Sequence, residues 1–286
     1  MEHISGYTQT TALIGSPVEH SLSPAMHTAS FQELGIDAVY LAYDVQVDGL
    51  EAAVAGMTAL GFAGYSVTMP LKTAIPPLLD ELTDAAALMG AVNCVAVKDG
   101  RTVGHNTDGA GFMRNVREHG VDIIGKKITL VGAGGAGSAI YTQAALDGVT
   151  AIDVYNLRDA FFDATAERIQ RVANQTGCAL RLIDLADQDA LRASIAESAL
   201  VVNATRVGMG DLADQTAIPA DFLVPGVAVA DTVYSPRETT LLKMAKARGL
   251  QTIGGLGMLL WQAAIAEDIW FGREMPTALI EEKFFA

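Results

Sequence analysis

Short apolar runs of strand length alternate with segments of helical period almost from end to end of the chain, a rhythm that predicts parallel sheets covered by helices. In the first half it predicts strands at residues 11–15, 39–45 and 65–69, separated by helices at 24–34 and 50–60. Two further runs, 92–97 and 102–105, flank Asp99-Gly100, a dipeptide that takes the positive φ angles of a tight hairpin turn. A helix over 109–118 then leads away. The second half repeats the alternation: strand 127–131, helix 136–147, strand 152–155, helix 160–174, strands 200–203 and 227–230, and a helix over 241–248. Residues 258–270 are apolar on nearly every face, the pattern of a helix packed between other elements. This last segment is expected to return to the first domain, so the chain crosses between two domains near Thr107 and again near Gly257, leaving a cleft between them.

Composition narrows the function. With 286 residues, 50% of them hydrophobic, the chain is long enough for two ordinary cores. A net charge of −14 repels phosphate backbones and anionic lipid, which argues against nucleic acid or a membrane surface as partner. The two cysteines, Cys94 and Cys178, form no C-x-x-C pair, which fits a reducing compartment and speaks against a thiolate zinc site. The histidines (His3, His20, His27, His105 and His119) show no metal-ligand spacing either, so no metal is expected. The first residues lack the basic-then-apolar layout of a signal peptide, and no run reaches the ~18 apolar residues of a membrane span. A cytoplasmic protein is expected.

The apolar run 128–131 is followed by Gly132-Ala133-Gly134-Gly135-Ala136-Gly137, a full G-x-G-x-x-G that opens a helix. Glycines there permit a tight turn, let a pyrophosphate approach the backbone, and let helix pack closely on strand, while the helix N-terminus favours negative charge. The motif alone is weak, but the next strand delivers an acidic residue, Asp159, at the distance of about 20 residues where a ribose-binding carboxylate belongs. A carboxylate that binds both ribose hydroxyls repels a 2′-phosphate, so Asp159 favours NAD over NADP. Its neighbour Arg158 is what a 2′-phosphate would want.

Polar clusters sit where the first-half strands end: Ser21-Leu22-Ser23-Pro24, Ser66 to Lys72, Ala91-Val92-Asn93, and His105-Asn106-Thr107-Asp108-Gly109. Strand ends are where open α/β sheets bind ligands. Taken singly, Ser23 reads as a helix N-cap before Pro24, Lys72 as a solvated lysine and Asp108 as a cap of the following helix. Taken together, Lys72 and Asp108 make a lysine–carboxylate pair able to hold and move a proton at a substrate hydroxyl.

These motifs, in this order, resemble the shikimate dehydrogenase family over essentially the whole chain, and within it the quinate/shikimate dehydrogenase branch. Further runs carry the likeness: Gly90-Ala91-Val92-Asn93, Asn106 to Phe112, Asn203-Ala204-Thr205, Asp231 to Pro236, and Gly257 to Gln262. The resemblance implies a substrate domain of residues 1–107 with 257–286, a Rossmann-type NAD(P)-binding domain over 108–256, and a place in the shikimate pathway of aromatic amino acid biosynthesis. It implies acid/base roles for Lys72 and Asp108, a ring carboxylate at Ser21 and Ser23, and ring hydroxyls at Thr68, Asn93, Thr107 and Gln262, with Tyr234 nearby. The dinucleotide would lie against residues 132–137, Asn156, Asp159, Arg206, Thr232 and Gly255.

The departures are specific. Strongly NADP-specific members have an Asn-Arg-Thr pattern where this chain reads Asn156-Leu157-Arg158-Asp159. Ser66 stands where shikimate-specific members have Asn, and Ala263 replaces a Gly after Gln262. Two other readings use the same residues: a family member acting on another carboxylated polyol or aminated ring, and a non-catalytic dinucleotide-binding sensor. A monomer or homodimer is compatible with all of them.

Overall fold

The computed structural model describes residues 4–285. Glu2 and His3, used above in the leader and histidine readings, lie outside the described residues. The chain begins with strand β1 (Gln9–Gly15), helix α1 (Ser23–Leu34), β2 (Ala38–Asp44), α2 (Leu50–Ala59), β3 (Gly64–Val67), β4 (Glu81–Leu82), α3 (Asp84–Met89) and the pair β5 (Cys94–Lys98) and β6 (Arg101–His105). Helix α4 (Thr107–Glu118) leads to β7 (Lys127–Val131), α5 (Gly135–Leu146), β8 (Ala151–Asn156), α6 (Phe162–Thr176), β9 (Ala179–Asp184), α7 (Gln188–Ala196), β10 (Leu200–Asn203), β11 (Ala228–Asp231), α8 (Thr240–Ala247) and β12 (Thr252–Ile253). Helices α9 (Leu256–Phe271) and α10 (Thr277–Phe285) close the chain. Two compact units result, one ending at Thr107 and resuming at Leu260, the other spanning Asp108–Leu259.

The first unit holds a sheet of order β2-β1-β3-β5-β6-β4. Its β2, β1 and β3 are parallel, but β5 runs antiparallel to both β3 and β6. The parallel pairing expected from the alternation thus gives way here to antiparallel pairing. The cause is the hairpin that the same pattern predicted: Asp99 (φ 52°) and Gly100 (φ 75°) reverse the chain in too few residues for a crossover helix. Helix α9 returns to this sheet. Trp270 donates its indole N–H to the Val95 carbonyl at 3.0 Å, and Trp270 and Phe271 pack against Leu13, Phe31 and Tyr40.

In the second unit every pairing is parallel, in the order β12-β11-β10-β7-β8-β9. Counted from β7, that is the 3-2-1-4-5-6 winding of a Rossmann domain, with its switch point between β7 and β10. The strands are buried on both faces, which is why they read as unbroken apolar runs: Ile128, Leu130, Val201, Val202 and Val229 have no exposed surface. Among the described residues no helix is long and apolar enough to cross a membrane.

The first unit's core contains one polar anomaly. Tyr65 on β3 has no exposed surface, packs among Leu50, Val54, Leu71 and Ile75, and its hydroxyl finds no hydrogen-bond partner among the described residues. An unpaired buried hydroxyl costs about 1–3 kcal/mol. Tyr65→Phe is therefore expected to leave unfolding free energy unchanged or raise it by about 1 kcal/mol, measured by urea denaturation. A loss of stability would show that the hydroxyl is hydrated in solution.

Candidate active site

In the first unit the polar side chains gather where β1, β3 and β5 meet the turns that follow or precede them. The backbone at Thr68 continues the β1 ladder by donating to the Ile14 carbonyl at 2.9 Å, and the chain then tightens into a single 3₁₀ turn, Leu71–Thr73, that carries Lys72. The Lys72 carbonyl accepts from Val92 N at 2.8 Å, so the lysine backbone is tied to the residue before Asn93. Asn93 is buried and double-bonded to Thr107: its Oδ1 accepts from Thr107 N at 2.7 Å and its Nδ2 donates to Thr107 Oγ1 at 2.9 Å. Two expected site residues thus meet directly, and their bonds fix the first turn of α4, to which Asp108 belongs.

The reading of Ser23 as an N-cap is corrected by the structure. Helix α1 starts on Ser23 itself, Leu22 is the N-cap without a side-chain cap, and Ser23 N donates to Ser21 Oγ at 3.2 Å. Ser23 is therefore no N-cap; the hydroxyl one step outside the helix takes that work, and the Ser23 hydroxyl lies beside the Tyr40 phenol. Gln262 sits on α9 within the same unit.

In the second unit, β7 runs into the glycine loop. Gly132 has φ +104°, and a Cβ there would fall 2.8 Å from the Ala204 backbone; a Cβ on Gly137 would fall 2.0 Å from the Gly132 carbonyl oxygen. Those two glycines hold helix against strand. At Gly134 and Gly135 the situation is opposite, since a Cβ on either would meet nothing within 4 Å. Open space over the unpaired N–H groups at the start of α5 is the cradle that a pyrophosphate needs, so these residues fit a dinucleotide. Asn156 braces the loop from β8, its Oδ1 accepting from Ala133 N at 3.1 Å.

Three residues that the sequence reading gave no role organise the other side of this site. Asn203, last in β10, donates to Asp231 Oδ1 at 2.9 Å and to the Val207 carbonyl at 3.0 Å, while its Oδ1 accepts from Thr205 N and Oγ1. Asp231, last in β11, accepts from Thr239 Oγ1 at 2.7 Å and from Val233 N at 3.0 Å. Burial pushes the Asp231 carboxyl above its ordinary range, and the bonds from Thr239, Val233 and Asn203 oppose that rise. The network holds the loop bearing Arg206 and the turn bearing Thr232. Gly255 packs on Thr232, whose carbonyl would lie 2.3 Å from a Cβ there. Arg206 is exposed and paired with Asp211 at 2.8 Å, and Tyr234 is exposed. The available signal for Asn203 and Asp231 was a polar residue closing an otherwise apolar strand.

After β8, Asp159 Oδ1 accepts from Phe161 N at 2.9 Å, a local turn that engages the carboxylate with its own backbone. The Arg158 guanidinium lies 5.1 Å from the Phe162 ring centroid, held by a cation–π contact.

The sequence profile described as the shikimate dehydrogenase substrate binding domain matches residues 13–95, and that of the shikimate 5'-dehydrogenase C-terminal domain matches residues 255–283. A shikimate dehydrogenase (NADP(+)) of Listeria monocytogenes is 47% identical over 99% of this chain and 98% of its own. A quinate/shikimate dehydrogenase of Escherichia coli is 39% identical over 98% of each. The crystal structure of a Listeria monocytogenes shikimate 5-dehydrogenase with shikimate and NAD superposes with a TM-score of 0.97 at 48% identity, covering 100% of this chain and 99% of that one. The expected preference for NAD over NADP is corrected by these relatives, since those from Listeria and Streptococcus at 46–47% identity are named for NADP(+). The turn just described is consistent with that correction, since one Asp159 oxygen already accepts from Phe161 N and the neighbouring Arg158 supplies the guanidinium that a 2′-phosphate binds. Fold, motif order and full-length identity agree: the chain belongs to the shikimate dehydrogenase family.

Proposed function

We propose that this protein reversibly oxidises the ring secondary alcohol of shikimate to the 3-dehydro ketone with NADP, in the shikimate pathway and in the cytoplasm, as a monomer or homodimer. The observation that carries the reading is identity of 47% to a named shikimate dehydrogenase across 99% of the chain. A bound nicotinamide supplies the redox step, taking hydride from the carbinol carbon or returning it. The chain's own residues supply the rest. Lys72 and Asp108 hold and move the hydroxyl proton. Ser21 and Ser23 bind the ring carboxylate, Thr68, Asn93, Thr107 and Gln262 bind the ring hydroxyls, and Tyr234 is assigned to the substrate as well.

The substrate unit is residues 1–107 with 257–286, and the dinucleotide unit is 108–256. Residues 132–137 with Asn156, Arg206, Thr232 and Gly255 hold the dinucleotide, and Arg158 reads its 2′-phosphate from its seat on Phe162. Quinate is a second substrate, favoured by the quinate/shikimate dehydrogenase relative and by the small Ser66 side chain on β3 beside the ring.

Initial rates for shikimate and quinate, each with NADP and with NAD, test this directly; turnover of neither ring acid would end the reading. Lys72→Ala is expected to lower kcat by about 10²- to 10⁴-fold, the usual worth of a positioned acid/base group, with Tm unchanged. Wild-type turnover in that variant removes Lys72 from the chemistry. Arg158→Ala is expected to raise KM for NADP by about tenfold and leave KM for NAD within about twofold, as loss of a charge-assisted phosphate contact demands. Equal effects on the two cofactors would take the 2′-phosphate away from Arg158.

A further inference from the structure

The first unit buries a carboxylate completely. Glu267 on α9 is 0% exposed and its partner His27 on α1 is 1% exposed, with Nδ1 at 2.7 Å from Oε1. Ser30, also on α1, donates to the other carboxylate oxygen at 2.6 Å. The imidazole stacks on Tyr40 at 4.3 Å and 13°, and Trp270 and Phe31 lie 5.5 and 6.0 Å from it. The imidazole and the Ser30 hydroxyl between them give both buried carboxylate oxygens a partner. Yet a buried ion pair adds little net stability over apolar side chains of the same volume. What it does define is one setting of α1 against α9, because any slip leaves a charge unpaired.

The neighbours of this pair show what such a setting governs. The Tyr40 phenol is buried beside the hydroxyls of Ser66 and Ser23, without hydrogen-bond geometry to a partner among the described residues. Burial keeps that phenol protonated. Ser23 precedes His27 by one helical turn on α1, and Gln262 precedes Glu267 by little more than one turn on α9.

We infer that the His27–Glu267–Ser30 cluster is a positioning device for the ring substrate, fixing the Tyr40 phenol against the Ser23 and Ser66 hydroxyls and holding α1 and α9 at the spacing that Ser23 and Gln262 require. The inference rests on the shikimate reading above. The cluster touches no reacting atom; it acts through Tyr40 and the two helices. Its loss therefore removes binding common to ground and transition states, which appears in KM and not in kcat.

Steady-state kinetics with shikimate and NADP on three variants test it, with shikimate affinity measured separately by calorimetry. Glu267→Gln keeps the shape and removes the charge. It is expected to raise KM for shikimate about tenfold, with kcat within about threefold and KM for NADP unchanged. The double variant His27→Leu with Glu267→Leu replaces the pair by apolar groups, so its Tm should match or exceed that of the wild type while the KM defect persists. In a Tyr40→Phe background, Glu267→Gln should raise KM by a clearly smaller factor than it does in the wild type, because one of its two routes of action is already lost. A folded double variant with wild-type KM overturns the inference, as does full additivity with Tyr40→Phe. Wild-type protein that neither binds nor turns over shikimate instead overturns the functional reading, so the two failures are distinguishable.

Discussion

The pair of hydrogen bonds between Asn93 and Thr107 decides where helix α4 begins and ties that point to the turn that carries Lys72. A buried amide with nothing to bond would cost as much as several apolar contacts gain. Asn93 is therefore bound to face the first residue of α4, and α4 is bound to begin there. Its backbone is caught as well, donating to the His105 carbonyl and accepting from Val67 N. Because Val92 N also donates to the Lys72 carbonyl, the turn carrying Lys72 is drawn to the same point. The same rule recurs in the second unit, where Asn156 braces the glycine loop and Asn203 braces the loop before Arg206. Each asparagine stands at one end of a strand, Asn93 just before β5 and Asn156 and Asn203 last in β8 and β10, and supplies donors and acceptors that the ladder does not provide there.

How much of this could be read from the chain follows from the range of each interaction. Strand β7 and the turn after it were legible almost to the residue, because a fully buried parallel strand and a glycine turn are both written locally. The hairpin at Asp99-Gly100 was legible for the same reason. Strand β9 was not, since as an edge strand of alternating exposure its ALRLID run lacks the continuous apolar signal of its neighbours. Helices α3 and α7 begin on side-chain caps from Thr83 and Asp187, but they are too short for a period to emerge. Helix α1 was found while its cap was misplaced by a residue, which moved the capping duty from Ser23 to Ser21. Nothing in the local pattern marks Glu267 as buried: its partner His27 lies 240 positions upstream, and one acidic residue in an apolar helix ordinarily signals a solvent-facing edge.

That long-range pairing belongs to a larger constraint. Trp270 lies over Gly64, where a Cβ would come within 2.2 Å of the indole, and it bonds the Val95 carbonyl between two strands of the first sheet. Phe271 meets Phe31 edge to face at 5.3 Å. One face of the first sheet is thus completed by residues synthesised after the whole second unit, and its core has no apolar cover at that place until that unit has folded or been set aside. An insertion between the two parts of a domain is tolerable because the second unit carries a sheet and core of its own.

A chain of net charge −14 must nevertheless receive an anionic dinucleotide and an anionic ring acid. Long-range attraction cannot do this, and at physiological salt charges more than about 8 Å apart are largely screened in any case. Under the function proposed above, what remains is short-range donation: backbone N–H groups at the start of α5, serine hydroxyls ahead of and at the start of α1, and a single cation held in place by a neighbour, as Arg158 is by Phe162. Apart from that one guanidinium such donors are neutral, so they add little to the far field while presenting hydrogen bonds at contact. On that reading, recognition of both anions depends on close placement of a few groups, and the asparagines at the strand ends and the His27–Glu267 pair are the means by which this fold places them.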